Sequence, residues 1–310
     1  MNTPQRTSRR PLDGVLLLDK PLGLSSNAAL QQAKRLYRAQ KAGHTGTLDP
    51  AASGLLPICF GEATKFAHAL LEADKAYAAV VRLGTTTTTA DAEGDITTQR
   101  PVEVSRDDIE VALARFVGHI AQTAPRYAAL KYQGRNYYEY ARKGIDIPRS
   151  ARDVVITALT LDAWSEPDAH IRVRCSKGTY IRVLAEDLGE ALGCGAHLAA
   201  LRRTATGGFD LAKAHTLDRL AALDDAQRDA LLLPTDALLS GLPRLELTAS
   251  EALPFHQGQQ IERHGVANGA YRAYAGGAFL GVATALDGSV RPRRLVAAHA
   301  SARACDTLES

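Results

Sequence analysis

The feature that most strongly limits the possible folds is the order of strand-like and helix-like segments in the first 240 residues. Short apolar stretches and amphipathic stretches with a helical period follow one another there in irregular order. Residues 14–18 form an apolar run that is too short for a buried helix and is closed by Pro21, so they predict an interior strand. Ser26 and Asn27 are suitable helix N-caps, and apolar residues recur after them at helical spacing. Residues 170–175 alternate apolar and basic side chains, as in a strand with one buried face. Because strands and helices do not alternate strictly, the sequence predicts an α+β fold rather than a doubly wound sheet.

The same patterns predict further elements. Residues 43–52 should form a loop that presents Asp49 from irregular backbone, because two glycines lie close together and Pro50 disfavours helical dihedrals in the residue before it. Residues 176–179 should start an amphipathic helix that runs to residue 192 and carries Arg182 in its first turn. The other predicted elements are strands over 54–60 and 77–83 and helices over 63–71 and 107–116.

The character of the sequence changes after about Pro243. From residue 245 to residue 298, short apolar runs are separated by glycines, a pattern typical of a small β-rich domain. We therefore expect a flexible basic N-terminus at 1–10, a main domain at 11–240, a small domain at 245–299 and a disordered tail at 300–310. No run approaches the roughly 18 apolar residues of a membrane span, so the sequence predicts a cytoplasmic protein.

Several common kinds of site are excluded by the sequence. It contains no phosphate-binding GxxxxGK[ST] loop, no GxSxG elbow and no HExxH helix. Gly193 and Gly195 begin like a dinucleotide-binding fingerprint, but Leu198 stands where its third glycine belongs. The four cysteines are scattered, without a CxxC pair or other zinc-ligand spacing, which argues against a disulfide framework and against a structural metal.

The distribution of charge is more informative than the net charge of +3. Between Lys20 and Asp49 there is no acidic residue, whereas four cations lie at positions 34, 35, 38 and 41. Residues 126–152 contain seven basic and two acidic residues together with five of the ten tyrosines. Interleaved cations and aromatic rings suit a nucleic acid, since cations follow phosphates and rings stack on bases. A solvated basic face with packed tyrosines explains this stretch equally well.

Three segments remain as candidates for chemistry: GHTGTLDP at 43–50, DKAY at 74–77 and SKGTYIR at 176–182. Taken alone, Asp49 is more often the start of a turn, and tyrosines in such places are more often packing residues. A cation at position 182, near a helix N-terminus, is electrostatically unfavourable and therefore favours a nearby anion. Asp49 would supply that anion.

Together with residues 14–21, these segments resemble the motifs of the TruB family, the synthases that make pseudouridine in the T loop of tRNA. The correspondence keeps its order from about Gly14 to Arg203, includes residues 131–135 and resumes at 291–295. The resemblance implies the pseudouridine synthase fold, with a mixed, mainly antiparallel sheet and flanking helices. It also implies that residues 126–152 are an inserted arm gripping the T loop and that the C-terminal region is a PUA-like RNA-binding domain.

The resemblance also assigns roles to single residues. Asp49 corresponds to the essential nucleophile of the family, and Arg182 corresponds to the cation that keeps it charged. Tyr77 corresponds to the tyrosine that stacks on the flipped base. His44 corresponds to the residue that occupies the vacated place in the T loop.

Further positions match supporting residues of the family. Tyr180 and Leu201 correspond to residues that line the uracil pocket, and Lys20 with Pro21 corresponds to a motif that braces the active-site loop. The family often has Thr-Asp-Thr before a further aspartate, whereas this chain has three threonines at 87–89 followed by Asp91. We therefore expect Asp91 to be a second carboxylate near the cation at position 182.

The activity implied is the isomerisation of the uridine at tRNA position 55, by base flipping, cleavage of the glycosidic bond, rotation of the base and rejoining through carbon. The resemblance implies no metal or nucleotide cofactor, the T stem-loop of tRNA as partner, no obligate protein partner and a monomer. A non-catalytic RNA-binding protein would give Asp49 no task, and an N-glycoside hydrolase would also use a carboxylate but release free uracil. The residues leave open whether Asp49 attacks C1′ or acts as a base that forms a glycal.

Overall fold

The computed structural model of the chain describes residues 8–128 and 130–297. The expectations for the tail at 300–310 and for most of the N-terminal segment lie outside the described residues. The strands in chain order are β1 Gly14–Lys20, β2 Ala42–His44, β3 Ala52–Phe60, β4 Lys75–Leu83, β5 Thr85–Thr87, β6 Ile96–Gln99, β7 Gly118–Thr123, β8 Lys131–Tyr132, β9 Arg135–Asn136, β10 Ala151–Ser165, β11 Asp168–Cys175, β12 Ala196–Thr206, β13 Phe209–Asp210, β14 His215–Thr216, β15 Arg244–Leu247, β16 Ile261–Glu262, β17 Gly269–Ala275, β18 Ala278–Leu286 and β19 Ser289–Leu295. The α-helices are α1 Ser26–Leu36, α2 His68–Leu71, α3 Arg106–Ala114, α4 Tyr137–Ala141, α5 Ile181–Ala191, α6 Leu217–Ala222, α7 Asp225–Asp229 and α8 Ala249–His256, and short 3₁₀ helices lie at Gly61–Lys65, Leu211–Lys213 and Thr235–Leu239.

A mixed sheet forms the centre of the larger part of the described chain. Its strands lie in the order β14-β1-β3-β12-β4-β11-β10-β7, with β2 paired to β3 and β13 paired to β12. Most neighbours are antiparallel, but β12 runs parallel to β3 and β14 runs parallel to β1. The strand β12 thus joins β3 to β4, which are separated from it by more than a hundred residues.

Side-chain alternation gives this sheet two covered faces. On one face, Leu16 and Leu18 of β1 and Leu56 and Ile58 of β3 pack against α1. On the other face, the intervening residues of these strands pack against the 3₁₀ helices Gly61–Lys65 and Thr235–Leu239. Helices α3 and α5 pack on the part of the sheet formed by β4, β10 and β11.

A second, five-stranded sheet has the order β15-β17-β18-β19-β16 and packs on α8. Its strands β18 and β19 contact the first part of the molecule, and the rings of Phe66 and Phe279 meet there edge to face at 5.5 Å. Lys65 also donates a hydrogen bond from Nζ to the carbonyl oxygen of Leu295, at 2.9 Å. The predicted α+β class, with a mixed sheet and a small β-rich C-terminal domain of PUA-like type, is confirmed.

The predicted helix over 63–71 is wrong. The 3₁₀ helix Gly61–Lys65 and the short α2 replace it, separated at Phe66, whose φ of −112° and ψ of 2° lie outside the helical region. Phe66 leaves the helical path because its ring is buried between the two sheets, against Phe279. Tertiary packing therefore overrides the local helical period.

Two predicted boundaries also differ. The expected loop over 43–52 begins as the strand β2, whose pairing with β3 satisfies backbone groups that the edge of β3 would otherwise expose. The helix α5 begins at Ile181 rather than at 176–179, because Gly178 adopts a left-handed φ of 79° that cannot continue a helix. Thr179 closes this turn by donating a hydrogen bond to the carbonyl oxygen of Ser176 at 3.0 Å.

Candidate active site

An open cavity of about 270 Å³ lies between the large sheet and the loops before β3 and α5. Tyr77 of β4 and Leu201 and Arg203 of β12 line it from the sheet, and residues 46–49 and 176–182 line it from the loops. The volume equals about nine water molecules at about 30 Å³ each, enough for a single pyrimidine ring with part of its sugar.

The register of the sheet explains why these side chains converge. Leu201 pairs with Ala79, and Arg203 pairs with Tyr77, so alternate residues of β12 and β4 share one face. The parallel pairing of Leu201 with Ala52 of β3 extends that face to the end of the loop that carries Asp49.

The backbone around Asp49 is held firmly although its side chain is about half exposed, at 49%. The buried hydroxyl of Ser26 accepts a hydrogen bond from Leu48 N at 2.7 Å and donates one to Leu48 O at 2.9 Å. Gly23 N donates to Pro50 O at 2.9 Å, and Ala52 N donates to Asp49 O at 3.0 Å. A fixed backbone therefore presents a carboxylate to the cavity.

Arg182 joins Asp49 to a second carboxylate. Its Nη2 atom lies 3.1 Å from Asp49 Oδ2, and its Nη1 atom lies 3.3 Å from Asp91 Oδ2. The same guanidinium donates to the carbonyl oxygen of Tyr127 at 2.9 Å and to that of Thr89 at 3.4 Å. Because the side chains of Arg182 and Asp91 are both only 9% exposed, this cation is oriented by protein groups rather than by water.

The threonine run organises Asp91. Thr89 donates from Oγ1 to Asp91 Oδ1 at 2.5 Å, and Thr87 donates to the carbonyl oxygen of Asp91 at 2.7 Å. Glu93 N also donates to Asp91 Oδ1, at 3.1 Å. Asp91 thus lies beside the cation at position 182, where a second carboxylate was expected.

Two tyrosines predicted for the base-binding site line the cavity. Burial raises the pKa of Tyr77, and the nearby Arg203 guanidinium opposes this shift only in part, so the phenol is neutral at physiological pH. Tyr180 lies at the N-cap position of α5, and Gln122 binds both its backbone N, at 2.9 Å, and its carbonyl oxygen, at 3.3 Å. Burial likewise raises the pKa of Tyr180.

His44 lies apart from the cavity lining. It occupies β2 opposite Ile58 and is half-buried, and its Nδ1 atom has no hydrogen-bond partner among the described residues. Burial lowers the pKa of His44, and the positive charge of Arg203 lowers it further. The imidazole is therefore neutral near pH 7.

Lys20 holds the turn at residues 21–24, which contacts the loop of Asp49 through the hydrogen bond from Gly23 N to Pro50 O. Its side chain is fully buried and donates from Nζ to the carbonyl oxygens of Pro21, at 2.9 Å, and Leu24, at 2.6 Å. Burial lowers the pKa of Lys20, while the negative charge of Asp49 raises it. Pro21 itself is exposed at the start of the turn.

Three residues that hold the site together received no site role from the sequence: Gln122, Arg203 and Ser26. Ser26 was predicted as a helix N-cap, whereas Ser25 caps α1. Arg203 is 1% exposed and donates to Leu55 O at 2.7 Å and to Gly46 O at 3.3 Å, which ties the start of the loop to β3. A signal for Arg203 was available, since positions 201 and 203 must share one face of the strand. The roles of Ser26 and Gln122 depend on backbone contacts that carry no sequence signal.

Comparisons with known proteins cover nearly the whole chain. Residues 34–181 match the family model described as TruB family pseudouridylate synthase (N terminal domain). Residues 182–240 match the tRNA pseudouridylate synthase B C-terminal domain, and residues 243–296 match the model described as Pseudouridine synthase II TruB, C-terminal. A tRNA pseudouridine synthase B of an Azoarcus species is 55% identical over 293 residues, covering 94% of this chain and 98% of the relative. The protein of the same name from Burkholderia mallei is 56% identical over 299 residues, covering 94% and 96%.

Solved structures share the fold. A chain of the archaeal box H/ACA sRNP Nop10-Cbf5 complex superposes with a TM-score of 0.69 at 25% identity, covering 92% of this chain and 86% of that chain. A chain of an H/ACA RNP bound to a substrate RNA containing 2′-deoxyuridine has a TM-score of 0.69 at 24% identity, covering 95% and 91%. With family models and close relatives that span it almost from end to end, this chain belongs to the TruB family of pseudouridine synthases.

Proposed function

We propose that the protein isomerises a uridine to pseudouridine in tRNA, at position 55 of the T loop. The observation that carries this proposal is the contact between Asp49 and Arg182 in the lining of the cavity that Tyr77 also lines. The relatives named tRNA pseudouridine synthase B support the same reaction and the same class of RNA. The reaction conserves all atoms and electrons of the nucleotide, so its chemistry needs no redox cofactor.

Asp49 supplies the carboxylate that the reaction requires. The N-glycosidic bond breaks with its electrons passing to the uracil, and the carboxylate either bonds to C1′ or removes a proton to give a glycal. The retained base then turns and bonds to the sugar through C5. In the first route the bond between Asp49 and C1′ breaks at this step, and in the second route the proton taken from the sugar is returned to it. The proton on C5 is then lost while N1 gains one. Arg182 balances the charge of Asp49 and fixes its orientation.

The cavity offers surfaces for a base that has left the T loop. Extrusion of a base costs a few kcal/mol, and stacking on one aromatic ring returns about 1 to 3 kcal/mol. Tyr77 supplies such a ring, with Tyr180 and Leu201 beside it. His44, which lies outside the cavity lining, would then contact the T loop rather than the base.

Other surfaces complete the proposal. The arm at 126–152, with its seven basic residues, would grip the T stem-loop, and the small domain at 245–299 would bind the tRNA beyond it. The presence of two separate sheets supports a division into a main domain at 11–240 and this small domain. We propose that the protein acts as a monomer in the cytoplasm.

An N-glycoside hydrolase is the competing chemistry, because it uses a carboxylate at the same carbon. Asp49 is half exposed in the free protein, so the base and its flanking RNA must themselves exclude water before the bond breaks. A hydrolase would release free uracil, whereas a synthase retains it. The products therefore separate the two reactions.

The test is an assay of an unmodified tRNA transcript with the wild-type protein and with Asp49→Asn. The wild type should yield pseudouridine and no free uracil, and Asp49→Asn should lose activity by at least about a thousandfold. RNA affinity of the variant should stay within a few-fold, because most phosphate contacts lie elsewhere. Free uracil would indicate a hydrolase, and tight binding without any product would indicate a passive RNA-binding protein.

A further inference from the structure

A small pocket lined mostly by cations lies on the outer side of α1. Its lining residues are Arg9, Gln31, Lys34, Arg35 and Arg38, and its volume is about 230 Å³. Within the part of the chain that the structure describes, no carboxylate lines this space. We name it the α1 basic pocket.

The pocket is built by two segments of the chain. Gln31, Lys34, Arg35 and Arg38 follow the spacing i, i+3, i+4 and i+7, which places them on one side of the helix and its continuation. Arg9 comes from the segment before β1. The next residue, Arg10, donates a backbone hydrogen bond of 2.8 Å from N to Arg38 O, which holds this segment beside the end of α1.

These cations are only partly neutralised. Arg38 forms an ion pair with Asp225 of α7, and the neighbouring Arg10 pairs with Asp229. In contrast, Arg9, Lys34 and Arg35 have no acidic partner within the described residues. Like charges three or four residues apart repel each other on a helix, so an external anion would relieve this arrangement.

A structural explanation covers only part of the pocket. Cations in the last turn of a helix interact favourably with its dipole, which accounts for Lys34 and Arg35. It does not account for Arg9, which a separate segment brings to the same place. Convergence from two segments favours a binding site over a solvated helix end.

The position of the pocket relates it to the catalytic cavity. Helix α1 packs on Leu56 and Ile58 of β3, and the same strand pairs through Ala52 with Leu201 of the cavity lining. The N-terminal end of α1 contacts the catalytic loop through Ser26. From there to Arg35 the helix extends about 14 Å, beyond the screening length of about 8 Å at physiological ionic strength. One large polyanion can therefore contact the α1 basic pocket and the catalytic cavity at the same time, with little electrostatic influence of one contact on the other.

We infer that the α1 basic pocket binds a phosphate of the tRNA backbone outside the T loop. The inference rests on the proposed function and extends the RNA contact to the folded tRNA beyond the segment in the cavity. Guanidinium and ammonium donors suit phosphate oxygens, and base recognition would need an aromatic platform that none of the described lining residues provides.

The test compares two substrates and two double variants. Lys34→Ala/Arg35→Ala removes two cations from the pocket, and Arg115→Ala/Lys213→Ala removes two exposed cations elsewhere as the control for net charge. Dissociation constants are measured for a full-length unmodified tRNA transcript and for an isolated T-arm stem-loop at several salt concentrations.

The pocket variant should bind full-length tRNA about tenfold more weakly near 0.1 M salt, and its salt slope should fall by about 1 to 2. Its affinity for the stem-loop and its kcat on the stem-loop should stay within about twofold of wild type, as should all values for the control. The charge-retaining variant Lys34→Arg/Arg35→Lys should restore binding of full-length tRNA, which separates loss of charge from loss of folding.

The inference would be overturned if the pocket variant bound both RNA substrates more weakly by the same factor. It would also be overturned if the variant bound both as tightly as the wild type. Pseudouridine formation by the wild type is recorded in the same series. Absence of product there would count against the proposed function alone, because the pocket is judged on the binding of two RNA substrates.

Discussion

At the scale of single residues, one guanidinium organises the candidate site. Arg182 contacts Asp49, Asp91 and two backbone carbonyl oxygens from three separate segments. Family motifs pointed to both members of the Asp49 pair, and the aspartate following the threonine run pointed to Asp91. The carbonyl of Tyr127 was not predictable, because any residue at that position supplies the same oxygen.

Loss of Arg182 should destabilise the fold through Asp91. In Arg182→Met, the carboxylate of Asp91 stays buried without its cation, and we expect the free energy of unfolding to fall by about 3 kcal/mol. The double variant Arg182→Met/Asp91→Asn should recover most of that stability but none of the activity. Urea unfolding and pseudouridine formation measure the two effects. A double variant as unstable as the single one would contradict this explanation.

Glu186, one turn after Arg182 in α5, should make stability depend on pH. Burial raises the pKa of Glu186 above its ordinary value of 4.5, with the negative charge of Asp187 adding to the shift. The folded state therefore holds this proton more tightly than the unfolded chain, so its contribution is present below pH 4.5 and is lost as pH rises through the folded-state pKa. Glu186→Gln should thus stabilise the protein at pH 7.5 but not at pH 4.

Thermal unfolding at both pH values measures this effect. The matched control is Glu262→Gln, at an exposed position, which should change the midpoint of thermal unfolding only slightly and by the same amount at the two pH values. A Glu186→Gln protein that is less stable than wild type at pH 7.5 would show that the carboxylate contributes favourably in its ionised form.

At the scale of elements, local sequence predicted the regular helices and strands, but it did not predict the positions where tertiary packing ends an element. The apolar run at 14–18 and the alternation at 170–175 predicted β1 and β11. The period over 63–71 did not predict that Phe66 breaks the helix to reach the second sheet. Such a break depends on a residue more than two hundred positions away, which no local pattern reports.

Two adjacent serines at the start of helix α1 have different contacts, and only Ser26 is expected to position the loop that carries Asp49. Ser25 caps the helix by accepting from Ala28 N, whereas Ser26 binds both backbone groups of Leu48. We expect Ser26→Ala to cost about 1 to 3 kcal/mol and to lower kcat about ten- to a hundredfold, because the chain before Asp49 loses its anchor.

The matched control is Ser25→Ala, which should cost about 1 kcal/mol of stability through loss of the cap but leave kcat nearly unchanged. Single-turnover kinetics on saturating tRNA separates this effect from binding. Equal kcat values for the two variants would contradict a positioning role for Ser26.

At the scale of the whole molecule, a shared apolar cluster joins the two sheets. Phe66, Leu238 and Val296 are buried in it, with Phe279 packed against them. Composition predicted two regions with different character, but it did not predict this contact, since each of its residues also fits an ordinary core position.

Truncation of Phe279 should weaken the coupling between the sheets. Phe279→Ala removes the ring that meets Phe66, and because this side chain is half-buried we expect a loss of about 2 kcal/mol. Calorimetry should then resolve an earlier transition for residues after Pro243. The control Leu253→Ala, at a position 66% exposed, should leave the profile unchanged. A uniform shift of one transition in Phe279→Ala would instead indicate that the sheets unfold as a unit.

The central place of β12 has a consequence for the protein while it is being synthesised. This strand arrives late in the chain, yet it separates two early strands and brings Leu201 and Arg203 between them. A nascent chain that has not yet exposed residue 206 to solvent lacks both the closure of the sheet and one wall of the cavity. We therefore expect translation products that end before residue 206 to form no pseudouridine, because Leu201 or Arg203, or the strand that holds them in the sheet, is then incomplete.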